Sequence, residues 1–155
     1  MKPLFLLTGL ALCLTACNRV NSKPPAAEGT GIVGTWKLVS NKIIEKGDTV
    51  IAYPVKGKQE LMIKMFNATH FSFFRHDLAH GKVADPVYDT GAGTYTLDGA
   101  DYAEKLDFCN YREWEGHDFK FKLTISNDTL VQRGVEKIDS LQVNREIIET
   151  YVRIK

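Results

Sequence analysis

Glu104 is the side chain whose surroundings most invite a chemical explanation. It stands in Tyr102-Ala103-Glu104-Lys105-Leu106-Asp107-Phe108. Successive side chains of an extended strand face opposite ways. Ala103, Lys105 and Asp107 then face solvent, and Glu104 turns inward with Tyr102, Leu106 and Phe108. If the turn Asp98-Gly99-Ala100-Asp101 pairs Leu97 with Tyr102, then Tyr95 lies opposite Glu104, within cross-strand reach. An enclosed carboxylate takes a hydrogen-bond partner or a proton. Two readings follow. Glu104 and Tyr95 hold the polar end of a ligand in a pocket beside Leu97, Tyr102, Leu106, Phe108 and Phe121, or they satisfy each other near a strand end open to solvent.

Arg75 closes a second in-phase set with Phe71 and Phe73, opposed by His70, Ser72, Phe74 and His76. It either reaches the interior or leaves to water at its strand end, as long cationic side chains do. Enzyme chemistry finds little footing. The chain has no Gly-x-Ser-x-Gly elbow, phosphate loop, Gly-x-Gly-x-x-Gly turn or His-Glu-x-x-His pair, so no catalytic residue is expected. His76 and His80 are four apart, which suits a metal only on a helix. Their segment precedes Gly81 and reads as a strand end, so neither metal nor haem is expected. Asn67-Ala68-Thr69 and Asn127-Asp128-Thr129 match the glycan acceptor pattern, a short match on which no reading is built.

These residues are positioned by strands. Period-two alternation broken by short turns argues half-buried β-strands. The clearest hairpins are Gly93-Thr94-Tyr95-Thr96-Leu97 with residues 102–108, and 119–125 turning at Ser126-Asn127-Asp128 into Thr129-Leu130-Val131. Further strands are expected at 33–40, 49–55, 60–66, 70–75 and 147–154, with a short helix at most over 135–141. Residues 77–92 read as a long loop of the kind that forms lids or portals. Tyr88 there, and Trp114 in Glu113-Trp114-Glu115-Gly116-His117, are candidate rim aromatics. Hairpin neighbours in sequence order favour an all-β, antiparallel up-and-down barrel of about eight strands over a sandwich. Such a barrel encloses space for side chains or one small ligand.

The N-terminus has its own chemistry. One charge at Lys2, an apolar run from Leu4 to Leu14 and small residues after it form an export signal, and the run is too short for a spanning helix. Leu14-Thr15-Ala16-Cys17 resembles the lipobox of bacterial lipoproteins, in which the cysteine thiol receives a diacylglyceryl group. The expected organisation is a signal peptide over 1–16, a lipidated Cys17 and linker over 17–31, and one barrel domain over 32–155. Two or three acyl chains, each worth about 0.8 kcal/mol per buried CH₂, would hold such a protein on a membrane outside the cytoplasm, with the outer membrane favoured. Proline and glycine in the linker, among almost nothing apolar, give it a reach on the order of 20 Å. Cys13 leaves with the signal, so Cys109 alone remains in the domain and reads as a small packed side chain. Lys and Arg number 20 against 19 Asp and Glu. With no basic stripe among them, a nucleic-acid partner is not expected.

Gly34-Thr35-Trp36 at the first strand resembles the Gly-x-Trp of the lipocalin superfamily. Tyr151-Val152-Arg153 resembles its final strand, whose arginine commonly lies over that tryptophan. Thr69-His70-Phe71-Ser72-Phe73 and residues 93–97 are similar to stretches of bacterial lipocalin-like lipoproteins of uncharacterised function. The resemblance implies that Trp36 and Arg153 close the barrel base, and that Arg75 meets a ligand carboxylate, as an arginine does in fatty-acid-binding relatives. The family's usual long helix before the last strand is shortened here and no disulfide is present. The function expected is binding of a small apolar or lipid-like molecule. The alternative is an envelope interaction or maintenance lipoprotein with a filled barrel and loops that bind a protein. No cofactor is expected in either case.

Overall fold

The computed structural model describes residues 31–155. The signal peptide, Cys17 and all of the linker except Gly31 lie outside the described residues. Nine antiparallel strands follow one another: β1 Gly34–Glu45, β2 Asp48–Tyr53, β3 Glu60–Phe66, β4 His70–Asp77, β5 Tyr88–Asp98, β6 Asp101–Cys109, β7 Asp118–Ser126, β8 Thr129–Ile138 and β9 Val143–Arg153. Neighbours pair in sequence order from β3 to β9, and β1 closes the ring by pairing with both β3 and β9. Eight strands therefore make an up-and-down barrel. The ninth, β2, folds back only on the far half of β1, from Asn41 to Glu45.

The alternation read from the sequence sets the faces. In β7, Phe119, Phe121 and Leu123 are buried while Lys120, Lys122 and Thr124 are exposed. The β5–β6 register also holds, with Leu97 opposite Tyr102 and Tyr95 opposite Glu104.

Past that point the parity rule breaks. The ladder pairs Gly93 with Leu106 but Ala92 with Phe108, so Asp107 is an extra residue, a β-bulge. A bulge reverses the facing of everything beyond it. Phe108 is therefore on the outer face, 68% exposed, and Cys109 turns inward. The backbones approach so closely here that a Cβ on Gly93 would lie 1.8 Å from the Lys105 carbonyl oxygen. Glycine is the residue that permits it.

The helix anticipated over 135–141 is a single 3-10 turn, Asp139–Leu141. Val135 to Ile138 instead continue β8, paired residue for residue with β9 down to Ile138 opposite Val143. A ladder and the burial of Ile138 hold this segment extended. The long loop is shorter than the sequence suggested, spanning 78–87. Both Asp77 carboxylate oxygens fasten it, accepting from the backbone N–H of Ala79, Gly81 and Val87 at 3.0, 2.9 and 3.2 Å. These bonds hold the Asp77 carboxyl below its ordinary range.

One end of the barrel is solid. Phe66, Phe71, Tyr102, Phe121, Leu123, Leu130 and Tyr151 pack around Trp36 and Leu38. Phe66 meets Tyr95 and Tyr102 edge-on at 5.4 and 6.1 Å. Trp36, fully buried, donates its Nε1–H to the Ile32 carbonyl at 2.8 Å. The Arg153 guanidinium carbon lies 4.0 Å from the indole centre, and its Nη1 and Nη2 donate to the carbonyls of Val33 and Gly31. Gly34, at φ +139°, leaves room for that arginine, since a Cβ there would sit 2.6 Å from Nη1. The entry of the chain is thus tied to its last strand.

Candidate functional site

The other half of the barrel is hollow. A cavity of about 400 Å³ opens at the end bearing the β4–β5 and β6–β7 connections. This is the end away from Gly31, where the described chain begins. Apolar side chains form part of its wall: Met62 from β3, Phe73 from β4, Leu106 from β6, Phe119 from β7 and Ile147 from β9. Trp114, on the 3-10 turn Arg112–Trp114 after β6, stacks on Phe119 at 6.1 Å and stands at the mouth. Gly91 makes room for one wall, because a Cβ there would press to 2.5 Å from the Phe73 ring.

A polar layer separates the cavity from the solid base. Lys64, 3% exposed, donates to Glu104 Oε2 at 2.7 Å and to Gln132 Oε1 at 3.0 Å. Its ammonium also lies 5.0–5.5 Å from the ring centres of Phe66, Phe71 and Tyr102, a placement that stabilises a desolvated cation. The Tyr102 hydroxyl donates to Glu104 at 2.5 Å. Glu149, 8% exposed, accepts from Asn41 Nδ2 at 3.1 Å and from the Tyr151 hydroxyl at 2.7 Å. At the mouth, Arg75 holds Glu60 through Nε and Nη2 and lies 3.4 Å from Asp89, while Arg145 holds Glu136 at 2.7 Å. The Arg145 guanidinium also covers the Trp114 ring at 5.6 Å.

Burial governs protonation in this layer. It pushes Glu149 up to about 7, against the opposing pull of Lys64 and of the Tyr151 hydrogen bond. It raises Glu136 as well, with Arg145 opposing. The Tyr102 and Tyr151 hydroxyls are held far above the ordinary tyrosine range by burial and by their glutamate neighbours, so both remain donors. Glu149 therefore keeps its proton in the folded chain at pH values where the unfolded chain has lost it. Its contribution to stability is complete below the ordinary glutamate value of 4.5 and is lost as pH rises through about 7.

The structure brings three of the anticipated ligand residues to this cavity, Glu104, Leu106 and Arg75. Arg75 is held by carboxylates rather than left free for an anionic ligand. Tyr102 and Phe121 belong to the packed base beneath it. Tyr95 faces Glu104 in the ladder, yet its hydroxyl donates to the Asn67 carbonyl at the base end, and Tyr102 takes the bond to Glu104 instead. Leu97 lies at the same end, 37% exposed, and Phe108 lies outside. Of the rim aromatics, Trp114 lines the cavity, whereas Tyr88 is the exposed first residue of β5 and does not. Cys109 lines the wall, its thiol raised by burial. His76 meets the Asp77 carbonyl, and among the described residues no cluster of His, Cys, Asp or Glu suits a metal ion.

Sequence reasoning missed Lys64, Gln132, Glu149 and Asn41. The signal was present. Alternation in β9 puts Arg145, Ile147, Glu149 and Tyr151 on one face, and in β3 it puts Glu60, Met62, Lys64 and Phe66 together.

No family model and no curated protein matches this sequence. Among solved structures, the chain is similar to an uncharacterised protein from Bacteroides eggerthii DSM 20697. The TM-score is 0.44 at 13% identity, covering 77% of this chain and 98% of that one.

Proposed function

We propose that this protein is a binding protein, not an enzyme, that holds a small, largely apolar or lipid-like molecule in the hollow half of its barrel. One observation carries the reading: a cavity of about 400 Å³ in which an apolar wall meets a layer of convergent polar and charged groups. Ligand sites combine those features and occupy the mouths of β-barrels. The lipobox-like Leu14-Thr15-Ala16-Cys17 supports a lipid anchor in the bacterial cell envelope, in the outer membrane by preference. Gly-x-Trp at Gly34 and Trp36, in contact with Arg153, supports a lipocalin-like lineage. An anchor joined through Gly31 would turn the mouth away from the membrane, toward the compartment.

A second reading, an envelope interaction or maintenance lipoprotein that binds a protein, is favoured by the filled base and by exposed Phe108 and Tyr88. Native mass spectrometry of the full chain taken from its own membrane separates the two. The expected spectrum carries one non-covalent small molecule per chain with a mainly apolar body. Chains bearing covalent lipid alone, together with a protein partner, would favour the second reading.

A further inference from the structure

With Glu149 ionised, the charges lining the cavity do not balance. Four carboxylates face it, Asp89, Glu104, Glu136 and Glu149, against three cations, Lys64, Arg75 and Arg145. Three of the four are within ion-pair distance of a cation: Asp89 of Arg75, Glu104 of Lys64 and Glu136 of Arg145. Among the described residues, Glu149 has no such partner. Its two oxygens meet only neutral donors, on Asn41 and Tyr151.

Beside it, Asn41 Oδ1 is buried and accepts no hydrogen bond. With Glu149 ionised, the Asn41 amide cannot relieve this by turning over, because that would set Oδ1 against the carboxylate. A buried acceptor left unmade is costly, on the order of 1–3 kcal/mol. The layer therefore presents to the cavity, at one point, a carboxylate without a cation and a carbonyl without a donor. Every charged group around Glu149 is already engaged. Lys64 on β3 is committed to Glu104 and Gln132, Glu104 on β6 to Lys64, and Glu136 on β8 to Arg145.

We propose that the ligand of this cavity carries a protonated amine, received by Glu149 and Asn41, with its apolar body between Phe73 and Trp114. This rests on the reading of the cavity as a small-molecule site and goes beyond it, since it reverses the acidic head group that the resemblance implied for Arg75. An ammonium offers several donors and one positive charge, the two things the site lacks. A carboxylate would bring a fifth negative charge beside Glu149 and another acceptor beside Asn41 Oδ1. Burial that raises Glu149 agrees with this geometry, because an arriving cation would favour the ionised form.

The test uses three probes that share one apolar body: phenylbutylamine, phenylbutanol and phenylbutyrate. Each is titrated calorimetrically into the full chain at about pH 8, where Glu149 is ionised. The amine should bind about tenfold or more tighter than the acid, as expected for a hydrogen bond to a charged group. Glu149→Gln keeps the shape and removes the charge, and it should erase that preference while the alcohol binds as before. If that variant fails to melt cooperatively, the ranking of the probes on wild type still decides. An acid that binds as tightly as the amine, or a preference that survives in a folded Glu149→Gln, would overturn the amine assignment and leave the binding site standing. So would a wild type that binds an apolar dye but none of the three probes. Loss of dye and probes alike would overturn the binding site as well.

Discussion

Trp36→Ala is expected to lower the stability of the barrel by about 3–5 kcal/mol, a large share of the 5–15 kcal/mol typical of a domain. Nothing replaces what the indole does. It is fully buried at the centre of the packed base, donates to the Ile32 carbonyl and carries the Arg153 guanidinium on its face. The substitution removes the ring and leaves a cavity that the surrounding strands cannot close, because β1 is paired on both sides there. Arg153→Ala should cost less, since its carbonyl partners Val33 and Gly31 are near solvent. A double-mutant cycle by urea denaturation should give a coupling of about 0.5–2 kcal/mol between the two. Zero coupling would mean that stacking contributes nothing to closure, whatever the single costs.

Lys64→Met should cost as much, and its cost should depend on pH. Removing one partner of a buried ion pair leaves the other uncompensated, at about 3–5 kcal/mol. Here the loss strikes two carboxylates. Glu104 loses its ion-pair partner, and Glu149 loses the cation that restrains its rise. Glu149 can escape by taking a proton, and that becomes easier as pH falls. The sign follows. Wild-type stability already declines as pH rises between 4.5 and about 7 through Glu149, and in the variant the decline should extend to a higher pH. Urea midpoints at about pH 5 and about pH 8 measure the difference. An equal cost at both values would show that Lys64 contributes through the packing of its stem alone.

The two halves of the barrel were not equally legible in the sequence. Period-two alternation and turn residues led to the strands and the β5–β6 register, because these depend on local pattern and on pairing between neighbours, whereas the Trp36–Arg153 closure was implied by the Gly-x-Trp resemblance. Phe108 was misplaced because a bulge is a two-strand event. Its trace is Gly91-Ala92-Gly93, on the strand opposite the residue that moves. The short β8 expected from Thr129-Leu130-Val131 ran on to Ile138 because a ten-residue ladder with β9 outweighs the weak helical bias of 135–141.

The site suffered most from its dispersal. Asn41, Lys64, Glu104, Gln132 and Glu149 come from five different strands, and no spacing along the chain brings them together. Each looks like an ordinary surface residue until its strand is sorted by face. Arg75 shows the opposite case. The sequence left it open between the interior and solvent; it lines the cavity, but its partners Glu60 and Asp89, on neighbouring strands, change what it can do.

Titration with an environment-sensitive apolar dye, in wild type and in Leu106→Trp, tests the hollow barrel most directly. Leu106 is buried in the cavity wall, where a tryptophan would occupy the space at an overpacking cost of about 1–3 kcal/mol. Wild type should bind one dye per chain and the variant none, while both melt cooperatively. Dye binding that survives unchanged in a folded Leu106→Trp, or a wild type that binds no dye at all, would contradict the account.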